Sequence, residues 1–175
     1  MNRKPGLHSL TFLLGIFLLA APAAAQETFE ATVVKAVSGD ALEVRRDKAK
    51  QTETYHLAGV DAPEPGQPFS KESADFLGKT ATGKKVKITP QKEEQPGQKA
   101  ALILLPDGRN LSHLMLEEGL VWWYRMALPH DPVLDKTEHQ TRKLKKGIWS
   151  DRDTMPPWAW RSRLEETGGG PIKDR

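Results

Sequence analysis

The sequence predicts a single α+β domain. Three observations carry that expectation: alternating runs rich in β-branched residues fill the first half of the chain, one stretch of helical spacing interrupts them, and two more helical stretches follow the last run. Short polar turns between the first runs imply an antiparallel meander.

The elements follow in order. "TFEATVVKAVSGDALEV" (28–44) alternates apolar and polar residues and breaks once at Ser38-Gly39-Asp40, which reads as two strands and a tight turn. "TETYHLAGV" (52–60) is the third strand, after the polar hairpin "RRDKAKQ". At "FSKESADFLGKTATG" (69–83) the period changes to that of a helix, with Ser70 able to cap it and Gly83 able to stop it. "KKVKITP" (84–90) and "KAALILLPDG" (99–108) return to strand character across the polar loop "QKEEQPGQ". "NLSHLMLEEGL" (110–120) is a short helix ended by Gly119, "VWWYRMAL" is extended, and "PVLDKTEHQTRKLKKG" (132–147) is a longer helix with a basic outer face. The stretch "IWSDRDTMPPWAWRSR" has tryptophans but little periodicity, and residues 162–175 read as a disordered tail.

Ahead of these elements, two positive charges, an apolar core from Leu10 to Ala21 and Ala23-Ala24-Ala25 form the tripartite pattern of a signal peptide over residues 1–25. The apolar stretch is shorter than the roughly 20 residues of a spanning helix, so no stable membrane insertion is expected after cleavage. The expectation is an exported protein, periplasmic or secreted, and monomeric. The remaining 150 residues suffice for one core. They carry 24 lysines and arginines against 23 acids, so the basic character of the whole chain exaggerates any general attraction for nucleic acid. With no cysteine, thiolate nucleophiles, thiolate metal sites and disulfides are excluded. The histidines lack zinc-site spacing. Any metal would be held by oxygen or imidazole, and clustered carboxylates favour a hard cation.

Five segments, "VVKAVSGDALEV", "LAGVDAPEPGQPFSKESADFL", "GKKVKI", "DGRNLSHLMLEEGLVWWY" and "KKGIWSDRDTMPPWAWR", stand in an order and spacing that resemble the staphylococcal nuclease family over residues 28–161. The resemblance implies a five-stranded Greek-key barrel of the OB-fold type with about three helices. It also implies calcium-dependent endonuclease chemistry on DNA or RNA, cutting the P–O5′ bond.

Carried onto this sequence, the family's calcium ligands fall on Asp40, on Asp61 and on the backbone carbonyl of Ala62, and its carboxylate base falls on Glu64. An aspartate at the end of each of two strands and a glutamate three residues on can converge on one cleft. The two arginines that the family places on the phosphate are absent: His56 stands at the first position, and Lys99 at the second, or Gln98 if the loop shifts by one. Lys99 could supply a point charge without the guanidinium fork, and His56 is cationic only toward acid unless its neighbours raise its pKa, which would favour mildly acid pH. Removing one such donor costs roughly 10²- to 10³-fold in rate. Tyr124 is the candidate for contact with the 5′-phosphate. Two functions follow from these residues: a weak calcium-dependent nuclease, or a catalytically degenerate barrel that binds nucleic acid or an envelope component.

Overall fold

Two antiparallel neighbours, β1 (Phe29–Ala36) and β2 (Ala41–Arg46), begin the fold, joined by the turn that carries Asp40. The structure is a computed structural model that describes residues 27–168. The leader pattern of residues 1–25 and residues 169–175 lie outside the described residues. β3 (Glu53–Leu57) pairs antiparallel with β2 and completes the meander. β5 (Lys85–Pro90) and β6 (Ala100–Leu104) close the barrel in the order β1-β2-β3-β6-β5, with β3 and β6 parallel and every other pair antiparallel. This is the OB-type barrel that the resemblance implies. Its interior is filled by inward residues of the alternating runs, among them Val33, Leu42, Leu57, Ile88 and Ile103, each almost wholly buried.

The third strand run ends earlier than its composition suggests. Gly59, at φ 76°, breaks it, and the next two residues form β4 (Val60–Asp61), which pairs outside the barrel with β7 (Trp122–Trp123). Asp61 is therefore fixed by a two-stranded ladder beside the barrel.

α1 (Ser70–Ala81) lies where the spacing predicts a helix, and Gly83 at φ 78° ends it. Ser70 is not its cap: Phe69 takes that position in a left-handed conformation, and no side chain caps the first turn. α2 (Leu111–Glu117) is capped by the Asn110 side chain, and Gly119 follows it. α3 (Pro132–Lys143) is capped by Asp131 and starts on a proline. Its basic face is partly engaged: Arg142 pairs with the buried Glu138 and stacks on Trp149.

A fourth helix, α4 (Pro157–Glu166), adds to the about three expected and occupies part of the stretch from residue 162 expected to be a tail. Its sequence, PWAWRSRLEE, is only weakly amphipathic, so periodicity does not reveal it. Pro156-Pro157 sets its start, and contacts far away in sequence hold it. Trp158 packs on Tyr124 with ring centroids 5.7 Å apart, and the Gln67 amide donates to the Met155 carbonyl. No helix among the described residues is long and apolar enough to cross a membrane.

Candidate active site

Asp40 owes its position to the glycine before it. A Cβ on Gly39 would lie 1.9 Å from Ser73 Oγ and 2.9 Å from Ala62 Cβ, so only glycine lets the β1–β2 turn press against α1 and the Asp61 loop. Ser73 is itself pinned, donating to the Leu120 carbonyl at 2.8 Å. Asp40 accepts from the Ser38 hydroxyl at 2.5 Å and from the Ala62 amide at 3.4 Å, which ties the first carboxylate to the loop carrying the others.

That loop, Ala62 to Phe69, is ordered by Gln67. Its side-chain oxygen accepts from the Glu64 amide at 3.0 Å, its backbone amide donates to the Glu64 carbonyl at 2.9 Å, and its side-chain nitrogen donates to Met155. Glu64 thus points into the cleft from a braced turn.

Asp40, His56, Asp61, Ala62 and Glu64 line one cleft of about 910 Å³. His56 Nδ1 lies 4.0 Å from Asp40 Oδ1. Two other candidates lie elsewhere. Lys99 is turned to the opposite side of its chain, where Nζ pairs with Glu53 at 2.9 Å and lies 5.7 Å from the Tyr55 ring centroid. Consecutive residues of an extended segment point to opposite sides, so it is Gln98 that lines the cleft. Tyr124 is buried against Trp158 and does not line the cleft; its ring packs α4 onto the domain.

The residue that sequence reasoning missed is Arg161, on α4. Its Nη1 and Nη2 donate to the two Asp61 oxygens at 3.3 and 2.9 Å, and Nη1 also donates to Glu64. Nothing local signals this role, because the partners lie about a hundred residues upstream.

The electrostatics follow from the crowding. Burial works against ionisation of Asp40, but the His56 imidazole, Ser38 and the Ala62 amide hold it below the usual carboxylate range. Burial likewise works against a charged His56, yet Asp40, with Asp61 and Glu94 beyond it, raises it above the ordinary value. Asp61 is pushed up to about 6 by burial and by Asp40 and Glu64, against the downward pull of Arg161. Burial also raises Glu94, whose carboxylate accepts from the Gly59 amide at 2.8 Å.

The Asp40 and Asp61 carboxylates with the Ala62 carbonyl offer an all-oxygen donor set, which suits a hard divalent cation, and the Arg161 guanidinium bridges Asp61 and Glu64. Among the described residues no three carboxylate or imidazole groups stand together as a ready-made ligand cluster. Two of the candidate groups are turned onto Arg161 instead.

A family model described as staphylococcal nuclease homologue matches residues 54–151, which include Asp61, Ala62 and Glu64 and exclude Asp40 and Arg161. An uncharacterized endonuclease of Escherichia coli O157:H7 is 34% identical over 131 residues, 75% of this chain and 84% of that protein. A micrococcal nuclease of Shigella flexneri is 28% identical over 167 residues, covering 90% of this chain and 95% of the relative. The staphylococcal-like nuclease CAN1 of Arabidopsis thaliana is 33% identical over 105 residues, 60% of this chain and 32% of the plant protein.

Proposed function

Because the chain belongs to the staphylococcal nuclease family, we propose that it is an exported, calcium-dependent endonuclease that hydrolyses nucleic-acid phosphodiester bonds slowly. The observation that carries this reading is the charge of the cleft. Its walls hold the carboxylates of Asp40, Asp61, Glu64, Glu72 and Glu165 against the fixed cations Lys71 and Arg161 and the titratable His56. A phosphodiester cannot enter such a site favourably unless a further cation accompanies it.

Asp40, Asp61 and the Ala62 carbonyl are the groups that would hold calcium. When bound, the ion supplies positive charge to the phosphate oxygens as negative charge grows on them. Glu64 takes a proton from the attacking water as the water oxygen bonds to phosphorus. One phosphorus–oxygen bond then breaks, and the departing oxygen takes a proton from solvent. Asp40 holds His56 toward its cationic form, which gives the cleft a weak donor to phosphate. No barrel strand presents a guanidinium to the cleft, so turnover is slower by roughly 10²- to 10³-fold for each donor that nothing replaces.

The test is cleavage of single-stranded DNA and RNA by the purified protein, with calcium and with chelator, for the native sequence and for Glu64→Gln. Calcium-dependent cleavage that falls at least about 10²-fold in the variant is the expected result. No cleavage in calcium at high protein concentration would overturn the enzymatic reading and leave a nucleic-acid-binding barrel. Export rests on the leader pattern of residues 1–25 and predicts a mature N-terminus near Gln26, read by mass spectrometry of the exported fraction. The protein is proposed to act as a monomer, which light scattering tests.

A further inference from the structure

Both barrel positions expected to carry phosphate-binding arginines lack them, and Lys99, the nearest substitute, faces away from the cleft. The guanidinium that does reach the carboxylates comes from a different element. Arg161 enters from α4, and its side chain is 32% exposed, so part of the group faces the cleft while two of its nitrogens bond Asp61 and Glu64. Lys71, the other fixed cation at the cleft wall, is paired with Asp75.

The docking of α4 makes this placement durable. The Tyr124–Trp158 packing and the bond from Gln67 to Met155 brace the helix start at two points, so the side chain of Arg161 can move while its backbone stays in place. Its present partners have other tasks in the proposed function: Asp61 as a cation ligand and Glu64 as the base. A guanidinium released from them would stand at the cleft wall with a planar fork of donors, the geometry that matches a phosphate.

We propose that Arg161, delivered by the C-terminal helix, is the phosphate-contacting arginine of this nuclease, taking over in space the work of the two that the barrel lacks. The inference rests on the nuclease reading above. It assigns to the carboxylates a resting partner, which leaves them when a cation and substrate enter.

The experiment compares the native protein with Arg161→Gln and Arg161→Lys in three measurements: cleavage kinetics in calcium, calcium affinity by calorimetry without nucleic acid, and binding of a fluorescein-labelled single-stranded oligonucleotide in calcium, made in the Glu64→Gln background. For Arg161→Gln, kcat/KM should fall about 10²- to 10³-fold and oligonucleotide binding at least about 10-fold, with calcium bound no more weakly than before. Arg161→Lys should recover part of both losses. Faster or unchanged cleavage in Arg161→Gln, or unchanged oligonucleotide affinity, would overturn the assignment and leave Arg161 as a plug or a structural tie. Weaker calcium binding in Arg161→Gln would also overturn it, since the loss would then lie in the cation site. If Arg161→Gln does not fold, Arg161→Lys decides: at least about a 10-fold loss of kcat/KM at unchanged calcium affinity supports the assignment, and an unchanged rate overturns it. If the native protein does not cleave, the nuclease reading fails by itself, and the oligonucleotide arm still decides whether Arg161 touches phosphate.

Discussion

Two residues joined by a backbone hydrogen bond show how finely direction decides a role. His56 donates its backbone amide to the Lys99 carbonyl at 2.8 Å, yet their side chains lie on opposite sides. His56 meets Asp40 in the cleft, while Lys99 pairs with Glu53 at the surface. Lys99→Ala should therefore leave kcat/KM within about threefold and stability within about 1 kcal/mol, as measured by cleavage and by denaturant unfolding. His56 should titrate above its ordinary value by NMR and fall back in Asp40→Asn. For the pair, the folded imidazole binds its proton more tightly than the unfolded one. Its stabilisation is complete below the ordinary histidine value and is lost as pH rises through the raised one. Asp40, held low, contributes above its ordinary value and loses that contribution in acid. His56→Asn should thus cost more stability at pH 6 than at pH 8.5, and an equal cost at both would show that the pair does not carry charge.

At the scale of elements, a turn and a helix carry the site. Gly39 allows the β1–β2 turn to touch Ser73 and Ala62, and the obstructing Ser73 oxygen belongs to a short side chain already bonded to Leu120. Gly39→Ala should cost about 1–3 kcal/mol and lower the thermal midpoint, because the turn must lift away from α1 and take Asp40 from the Ala62 amide. The strands were legible because alternation reports a face directly, and the break at Ser38-Gly39-Asp40 marks the turn that holds Asp40. α4 was not legible: a helix held by Trp158 against Tyr124 and by Arg161 on the carboxylate loop needs no apolar stripe, so PWAWRSRLEE carries no period. For the same reason Ser70 misled as a cap, since the loop enters α1 through Phe69 in a left-handed turn.

Over the whole molecule, the barrel, the β4–β7 ladder and α4 bring acidic groups from distant segments onto one cleft, and the crowding of charge has a measurable consequence. In chelator, the folded protein binds a proton on Asp61 up to about pH 6, where the unfolded chain has already lost it. The unfolded state therefore binds fewer protons between the ordinary aspartate value and about 6, and this group weakens the fold as pH rises through that window. The unfolding free energy of the metal-free protein should accordingly gain from Asp61 on moving from pH 7 to pH 5, by on the order of 1 kcal/mol, a gain that Asp61→Asn removes. The sequence by itself determined the barrel strands and the first three helices, because short-range alternation and turn chemistry act locally along the chain, while the family resemblance pointed to Asp40, Asp61 and Glu64, which line one cleft. Only the tertiary structure decided that Lys99 leaves the cleft, that Tyr124 is packing, and that Arg161 enters the cleft to bond Asp61 and Glu64. Those outcomes depend on which face of a strand meets solvent and on contacts across nearly a hundred residues, and no local pattern encodes either.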